Sequence, residues 1–381
     1  MSVSARTVDD ILLPDGPGAG AVANPGELGE KARLLLQHQR ENWPMLATGA
    51  GSLATVQVKT FEFDGFEIKV QFNPGRIVSS SAKVDKTSIS QRKCFLCIPN
   101  LPAEQKGVLF QDYLVLCNPF PIFKEHFTIP HVEHIPQRIS GSFASMLSIA
   151  EGMGMGYSLF YNGPRCGASA PDHLHFQAGE YGFMPLDTSW EDIVERHGTW
   201  IADDDRSRFA RVDDKLRRYV ILESDDPSLL EEQFKQLYAA FSDVSRQAGS
   251  QSGLQPGLKT GSPAGLLQSG LKTGSPAEPR PGPEAGSQSG SGEEPMLNIL
   301  VSFKGGLWRV IVFLRKKHRP ERYFAESDEK MLFSPASVDF GGVCIIPVER
   351  DFHRITKDDL YSMFQEVSAS PDVLDAVIRN M

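Results

Sequence analysis

The spacing of apolar residues changes character several times along the chain. Leu28, Leu34, Leu35 and Leu36 recur among charged residues between Glu27 and Asn42, which predicts a helix. Thr55–Phe63 and Phe66–Phe72 alternate in apolar character around Asp64-Gly65, the pattern of a β-hairpin. Short apolar runs at Tyr113–Cys117 and His126–Ile129, split by Asn118-Pro119-Phe120-Pro121, read as adjacent strands. Next come a helix over Phe143–Met155, a strand over Tyr157–Tyr161, a turn-rich stretch at 162–171 and a short strand over His173–Gln177. Arg217–Leu222 is a further strand, and Leu229, Leu230, Phe234, Leu237 and Phe241 mark an amphipathic helix over Leu229–Ser245. After a break, Leu297–Phe303 and Trp308–Leu314 pair around Gly305-Gly306, Val343–Pro347 is a strand, and Lys357–Val367 and Pro371–Ile378 are helical. The predicted class is α+β, an antiparallel sheet with helices in two halves that pack together.

The break is compositional. Residues 249–295 hold 11 Gly and 7 Pro in 47 positions, above the roughly 25–30% that marks low-complexity sequence. The string GLKTGSPA occurs at 257–264 and again at 270–277, a period of 13 that is too short for a solenoid unit. The expected organisation is a mobile N-terminus over 1–26, a first half over 27–246, a disordered Gly/Pro/Ser-rich linker over 247–295 and a second half over 296–381.

Charge and cysteine usage narrow the classes. Lys+Arg number 39 and Asp+Glu 48, a net charge of −9, so an anion site must be built locally and nucleic-acid coating is disfavoured. The five cysteines (Cys94, Cys97, Cys117, Cys166 and Cys344) are too few for a secreted disulfide framework. No apolar run approaches the ~18 residues of a membrane span, and the first residues lack a signal-peptide pattern. A cytoplasmic protein with no membrane or nucleic-acid partner is expected.

The segment from Cys166 to Gln177, CGASAPDHLHFQ, carries the densest chemistry. On a strand, the period of two puts His173, His175 and Gln177 on one face and Leu174 and Phe176 on the core side. A neutral imidazole can attack phosphorus and hold a nucleotidyl group, and a neighbouring amide can hold the phosphoryl oxygen. Gly167 and the small residues after it let backbone N–H groups approach phosphate. A His-x-His row can equally be a satisfied surface feature. Cys94-Phe95-Leu96-Cys97 is a zinc half-site, a packed reduced pair or a redox pair; zinc would need His ligands, and His126, His131 and His134 share one stretch. Asn73-Pro74-Gly75-Arg76 is either a plain turn or a phosphate clamp through Arg76. Residues 315–322, RKKHRPER, form either a solvated basic face or a site for a second anion, with Arg319 as its candidate.

The row His173-Leu174-His175-Phe176-Gln177 resembles the motif of the histidine-triad (HIT-like) superfamily, in its branch with Gln in third place. That branch holds galactose-1-phosphate uridylyltransferases, dinucleoside tetraphosphate phosphorylases and GDP-hexose phosphorylases, and HLHFQA at 173–178 is most similar to the last. The resemblance spans about 73–180 and, more weakly, 296–369, through Asn298, Ser334-Pro335 and Gly341-Gly342. The chain as a whole resembles a bacterial branch of undefined substrate. The resemblance implies that His175 is the nucleophile, that Gln177 contacts the phosphoryl group, and that Asn162 and Ser169 hold phosphate oxygens. It implies nucleotide contacts from Asn73, Arg76, Asn118 and Phe120, with Phe120 stacked on the base. It implies a structural Zn2+ on Cys94, Cys97, His134 and His173. Asp172 departs from the pattern by lengthening the Pro-to-His spacing found in the uridylyltransferases. The implied protein is a nucleotidyltransferase or phosphorylase, monomer or homodimer. It acts on a nucleotide sugar or dinucleotide with phosphate or a sugar 1-phosphate as acceptor. A hydrolase using the same histidine and a non-enzymatic zinc-stabilised module are the alternatives.

Overall fold

The computed structural model describes residues 6–13, 24–77, 86–204, 206–252, 293–326 and 328–381. The repeat at 257–277 and most of the expected N-terminal and linker segments lie outside these residues. The strands are β1 (Gln57–Glu62), β2 (Glu67–Phe72), β3 (Gly107–Phe110), β4 (Tyr113–Cys117), β5 (Phe127–Pro130), β6 (Tyr157–Asn162), β7 (His175–Glu180), β8 (Gly198–Asp203), β9 (Ser207–Asp213), β10 (Arg218–Ser224), β11 (Leu297–Lys304), β12 (Leu307–Leu314) and β13 (Val343–Ile346).

Ten of them form one antiparallel sheet in the order β3-β4-β5-β7-β6-β11-β12-β10-β9-β8. Read inward from its two edges, this order is the same pattern twice: first, second, third, fifth, fourth. The two repeats meet where β6 pairs antiparallel with β11, Asn298 opposite Asn162 and Ser302 opposite Ser158. In each repeat a helix leads from the third strand to the fourth, Phe143–Met153 in the first and Pro227–Ser252 in the second. Residues 253–292 fall between β10 and β11. The α+β class is therefore present as one continuous sheet of two repeats, which divide between β7 and β8, so that β8–β10, within the expected first half, join β11 and β12 in the second repeat.

The central strands are buried on both faces, which is why β10, β11 and β12 read as nearly unbroken apolar runs, while the edge strand β8 alternates. One face packs on the helices Glu27–Asn42, Phe143–Met153, Pro227–Ser252 and Pro371–Arg379, through Leu35, Met146, Phe234 and Leu374. The opposite face is covered by the small sheet β1-β2-β13 and the helices Leu186–His197 and Lys357–Val367, through Ile68, Ile345, Trp190 and Phe364. The β11–β12 hairpin closes on Gly305 and Gly306, both with positive φ (64° and 83°), as a two-residue turn of the favoured twist needs. Leu12 bridges to Gly107 and Arg6 donates to four carbonyls between Leu101 and Gln105, so residues 6–13 dock beside β3.

Several predicted boundaries move, among them those of the helix expected over Leu229–Ser245, which runs Pro227–Ser252. The helix from Phe143 stops at Met153 because Gly154 takes φ 73°. The strand expected from His173 starts at His175, because the His173 N–H closes a turn on Ala170 O. The helix Pro44–Ser52, β3, the helix Leu186–His197 and the β8–β9 hairpin are additional elements.

Candidate active site

His175 opens β7. Its Nδ1 lies 2.8 Å from His173 O. A carbonyl only accepts, so Nδ1 carries the ring proton and Nε2 the lone pair. Burial pushes the imidazole down to about 4, so it is neutral at pH 7. The His175 N–H donates to Gln137 Oε1 (2.8 Å), and Gln137 Nε2 donates to Asn162 O (2.9 Å) and His175 O (3.1 Å). Gln137 thereby ties the end of β6 to the start of β7.

Gln177, two residues further along β7, lines a cleft on the face that carries the small sheet, together with Arg76, Asn162, Gly167, Ser169 and Arg319, and with His318, Ser334 and Asp339. Phe160 lies opposite Gln177 across β6 and β7 and floors it. Gly167 sits at φ 102°, where a Cβ would stand 2.6 Å from Ala336 Cβ, so only glycine fits this approach of the loop to the second half.

Both carboxamides in the cleft have their oxygens committed. Asn162 Oδ1 accepts from the Ser337 N–H (2.9 Å) and from Asn298 Nδ2 (2.9 Å). Asn298 is fixed in turn because its Oδ1 accepts from the buried Arg315. Gln177 Oε1 lies 3.1 Å from His126 Nε2. The NH2 groups of Asn162 and Gln177 have no partner among the described residues, and both residues line the cleft. Arg76 donates to Phe120 O (2.7 Å) and, although burial pushes it down to about 10, it is charged at pH 7. Arg319 donates to Ser334 Oγ (3.0 Å) and lies over the Tyr323 ring. The cleft therefore presents donors and cations, the surface an anion needs. Its one carboxyl, Asp339, accepts from the Ala336 and Ile345 N–H groups and is pushed up to about 7 by burial.

The structure brings Arg76, Asn162, Gly167, Ser169, Gln177 and Arg319 together. His175, two residues before Gln177, is 5% exposed and does not line the cleft. Asn73 Nδ2 donates to Pro121 O, and Asn118 joins Thr128 Oγ1 and the Phe120 N–H, so both amides hold turns together. The Phe120 ring is 43% exposed outside the lining. The basic segment 315–322 divides: Arg315 is buried scaffold, Lys317 pairs with Glu366, Arg322 with Asp359, and His318 and Arg319 face the cleft. Sequence reasoning passed over Gln137, Ser337 and Asp339, and weighed His126 only as a possible zinc ligand. Gln137 stood in the HIPQ string without a use, and Ser337 and Asp339 carry no local signal.

Cys94, Cys97, His134 and His173 place four ligand atoms within 4.8 Å of one another. Cys94 Sγ is 3.3 Å and Cys97 Sγ 3.6 Å from His173 Nδ1, and Cys97 Sγ is 3.2 Å from His134 Nδ1. These are close to the edges of a tetrahedron with bonds of about 2.0–2.3 Å, so the set fits a metal ion of the zinc kind. His173 Nε2 donates to His131 O (2.8 Å), which leaves Nδ1 unprotonated as a ligand must be. Its own carbonyl is the one that holds His175, so a metal here would fix the support of that ring.

A family model described as a domain of unknown function (DUF4922) matches residues 35–180. No curated protein matches the chain by sequence. The fold is similar to that of the yeast Ap4A phosphorylase Apa2 in its crystal structure, with a TM-score of 0.51, 13% identity, and coverage of 90% of this chain and 94% of that one. The same enzyme in complex with AMP gives a TM-score of 0.52 at 13% identity, covering 90% and 96%. The likeness at this identity is one of fold. Among the described residues no helix is long and apolar enough to cross a membrane.

Proposed function

We propose that the protein is a nucleotidyltransferase of the phosphorylase type, acting on a dinucleoside polyphosphate or a nucleoside diphosphate sugar through a covalent nucleotidyl-His175. The observation that carries this reading is His175 with its lone pair at Nε2, two residues along β7 from Gln177, whose NH2 faces a cleft of donors and cations. The similar fold of an Ap4A phosphorylase supports it.

In the first step Nε2 attacks the α-phosphorus. The P–O bond to the leaving phosphate chain breaks and its electron pair departs on that oxygen. The imidazole becomes a cationic phosphoramidate, stabilised by His173 O at Nδ1–H. In the second step an oxygen of phosphate attacks, the P–N bond breaks, and His175 regains its lone pair. Arg76, Arg319 and the amides of Asn162 and Gln177 hold the charge on two phosphates together. Zinc is the metal proposed for the Cys94, Cys97, His134 and His173 set. Elemental analysis is expected to find one equivalent per chain, lost in Cys97→Ser.

A panel of dinucleoside polyphosphates and nucleotide sugars, incubated with and without phosphate, tests the reaction class. Nucleoside diphosphate formed only with phosphate is the expected product. Nucleoside monophosphate formed regardless of phosphate would make the protein a hydrolase, and binding without turnover a module.

A further inference from the structure

His126 precedes β5 and is 1% exposed. Its Nδ1 accepts the Ile122 N–H at 3.1 Å. A backbone amide only donates, so Nδ1 bears no proton and the single ring proton is on Nε2. That nitrogen lies 3.1 Å from Gln177 Oε1 and must be the donor in the pair. The ring cannot turn over: Phe123 packs against it at 5.2 Å between centroids and Phe160 at 5.9 Å. The chain Ile122 N–H to His126 to Gln177 therefore has one direction, and it ends with the Gln177 NH2 facing the cleft. Without it, the amide could rotate and offer its oxygen, which repels a phosphoryl oxygen.

We propose that His126 is a positioning residue for nucleotidyl transfer: it fixes the Gln177 amide so that its NH2 meets the oxygen on which charge develops. This rests on the reading of His175 above. The step it serves is attack, so the loss should fall on the rate at saturation and not on the half-saturating concentration.

The test compares His126→Gln and His126→Asn, each alone and with Gln177→Leu. The readout is the saturating rate of His175 nucleotidylation by a dinucleoside tetraphosphate without phosphate. The Gln side chain keeps a donor near the place of Nε2, whereas Asn keeps only an acceptor near the place of Nδ1 for Ile122. His126→Gln is expected within a fewfold of wild type and His126→Asn slower by up to about 100- to 1,000-fold, the loss of one oriented donor. With Gln177→Leu present, neither change should slow the rate further. A merely structural role predicts the opposite ranking, with Asn at least as good as Gln, or equal losses with and without Gln177; either result overturns the proposal. A second readout needs no turnover. Nitrogen NMR of the intact protein should show His126 as the Nε2–H tautomer, with that proton signal shifting in Gln177→Leu. A Nδ1–H tautomer overturns the positioning role even if His175 never becomes nucleotidylated, and the absence of nucleotidylation with the expected tautomer points to failure of the reaction reading alone.

Discussion

Asn162 gives its amide oxygen to Ser337 and Asn298, and Gln177 gives its oxygen to His126, so both turn NH2 groups to the cleft. The sequence shows which residues can be amides at a phosphate site; it does not show which way they point. The groups that settle the direction stand 136 and 175 residues from Asn162 and 51 from Gln177. Local periodicity carries no trace of such contacts. That His175 and Gln177 share one face of β7 was legible, because alternation along a strand needs only the chain itself, whereas His173 falls in the turn before it. The direction of the amide makes a sharp prediction. Asn162→Asp keeps an acceptor for Ser337 and Asn298 but turns the cleft-facing donor into a charged acceptor. Affinity for inorganic pyrophosphate, measured by calorimetry, should fall by about 100-fold or more, since a paired donor is replaced by like-charge repulsion. Unchanged affinity would mean that Asn162 does not face the anion.

At the scale of elements, hairpins and buried central strands were readable because their apolar runs are long and their turns carry glycine. The β8–β9 hairpin was not, since 198–213 is rich in charge and its apolar positions serve an edge. The helix Leu186–His197 had a signal that was passed over: Leu186, Trp190, Ile193 and Val194 recur at helical spacing and are buried. The entry to β11 is held by Glu294, whose carboxylate accepts from the Ile139 N–H (2.8 Å) and the Tyr161 hydroxyl (2.8 Å). Burial pushes this carboxyl from 4.5 up to about 7. The folded chain therefore keeps a proton there that the unfolded chain has lost above about pH 4.5. Its cost to stability grows as pH rises from about 4.5 to 7 and is constant beyond. Glu294→Gln keeps an acceptor for the Ile139 N–H and offers its NH2 to the Tyr161 oxygen, without a charge. Relative to wild type, the variant should gain up to about 3 kcal/mol in denaturant unfolding between pH 4.5 and pH 8. A pH-independent difference would show that Glu294 titrates in the fold as it does in the unfolded chain.

For the whole molecule, the α+β class was legible, but the repeat was not: the expected halves part at 247–295, whereas the strand order divides between β7 and β8. The sheet repeats one strand order twice and joins the copies at β6 and β11, so Asn298 in one half sets the amide of Asn162 in the other. The first half brings His175, Gln177 and the Cys/His cluster; the second brings Ser337, Arg319 and the scaffold around Arg315. The cleft thus draws its lining from both repeats of the sheet. The chain's net charge of −9 coexists with Arg76 and Arg319 on the lining of this cleft.

The covalent step is the centre of this account, and mass spectrometry tests it directly. The intact protein, incubated with a dinucleoside tetraphosphate in the absence of phosphate, should gain one nucleotidyl mass. That mass should map to His175 and disappear when phosphate is added. A label on any other residue, no label under turnover, or a His175→Ala variant retaining more than about a hundredth of the wild-type rate would contradict it, since loss of a nucleophile costs far more.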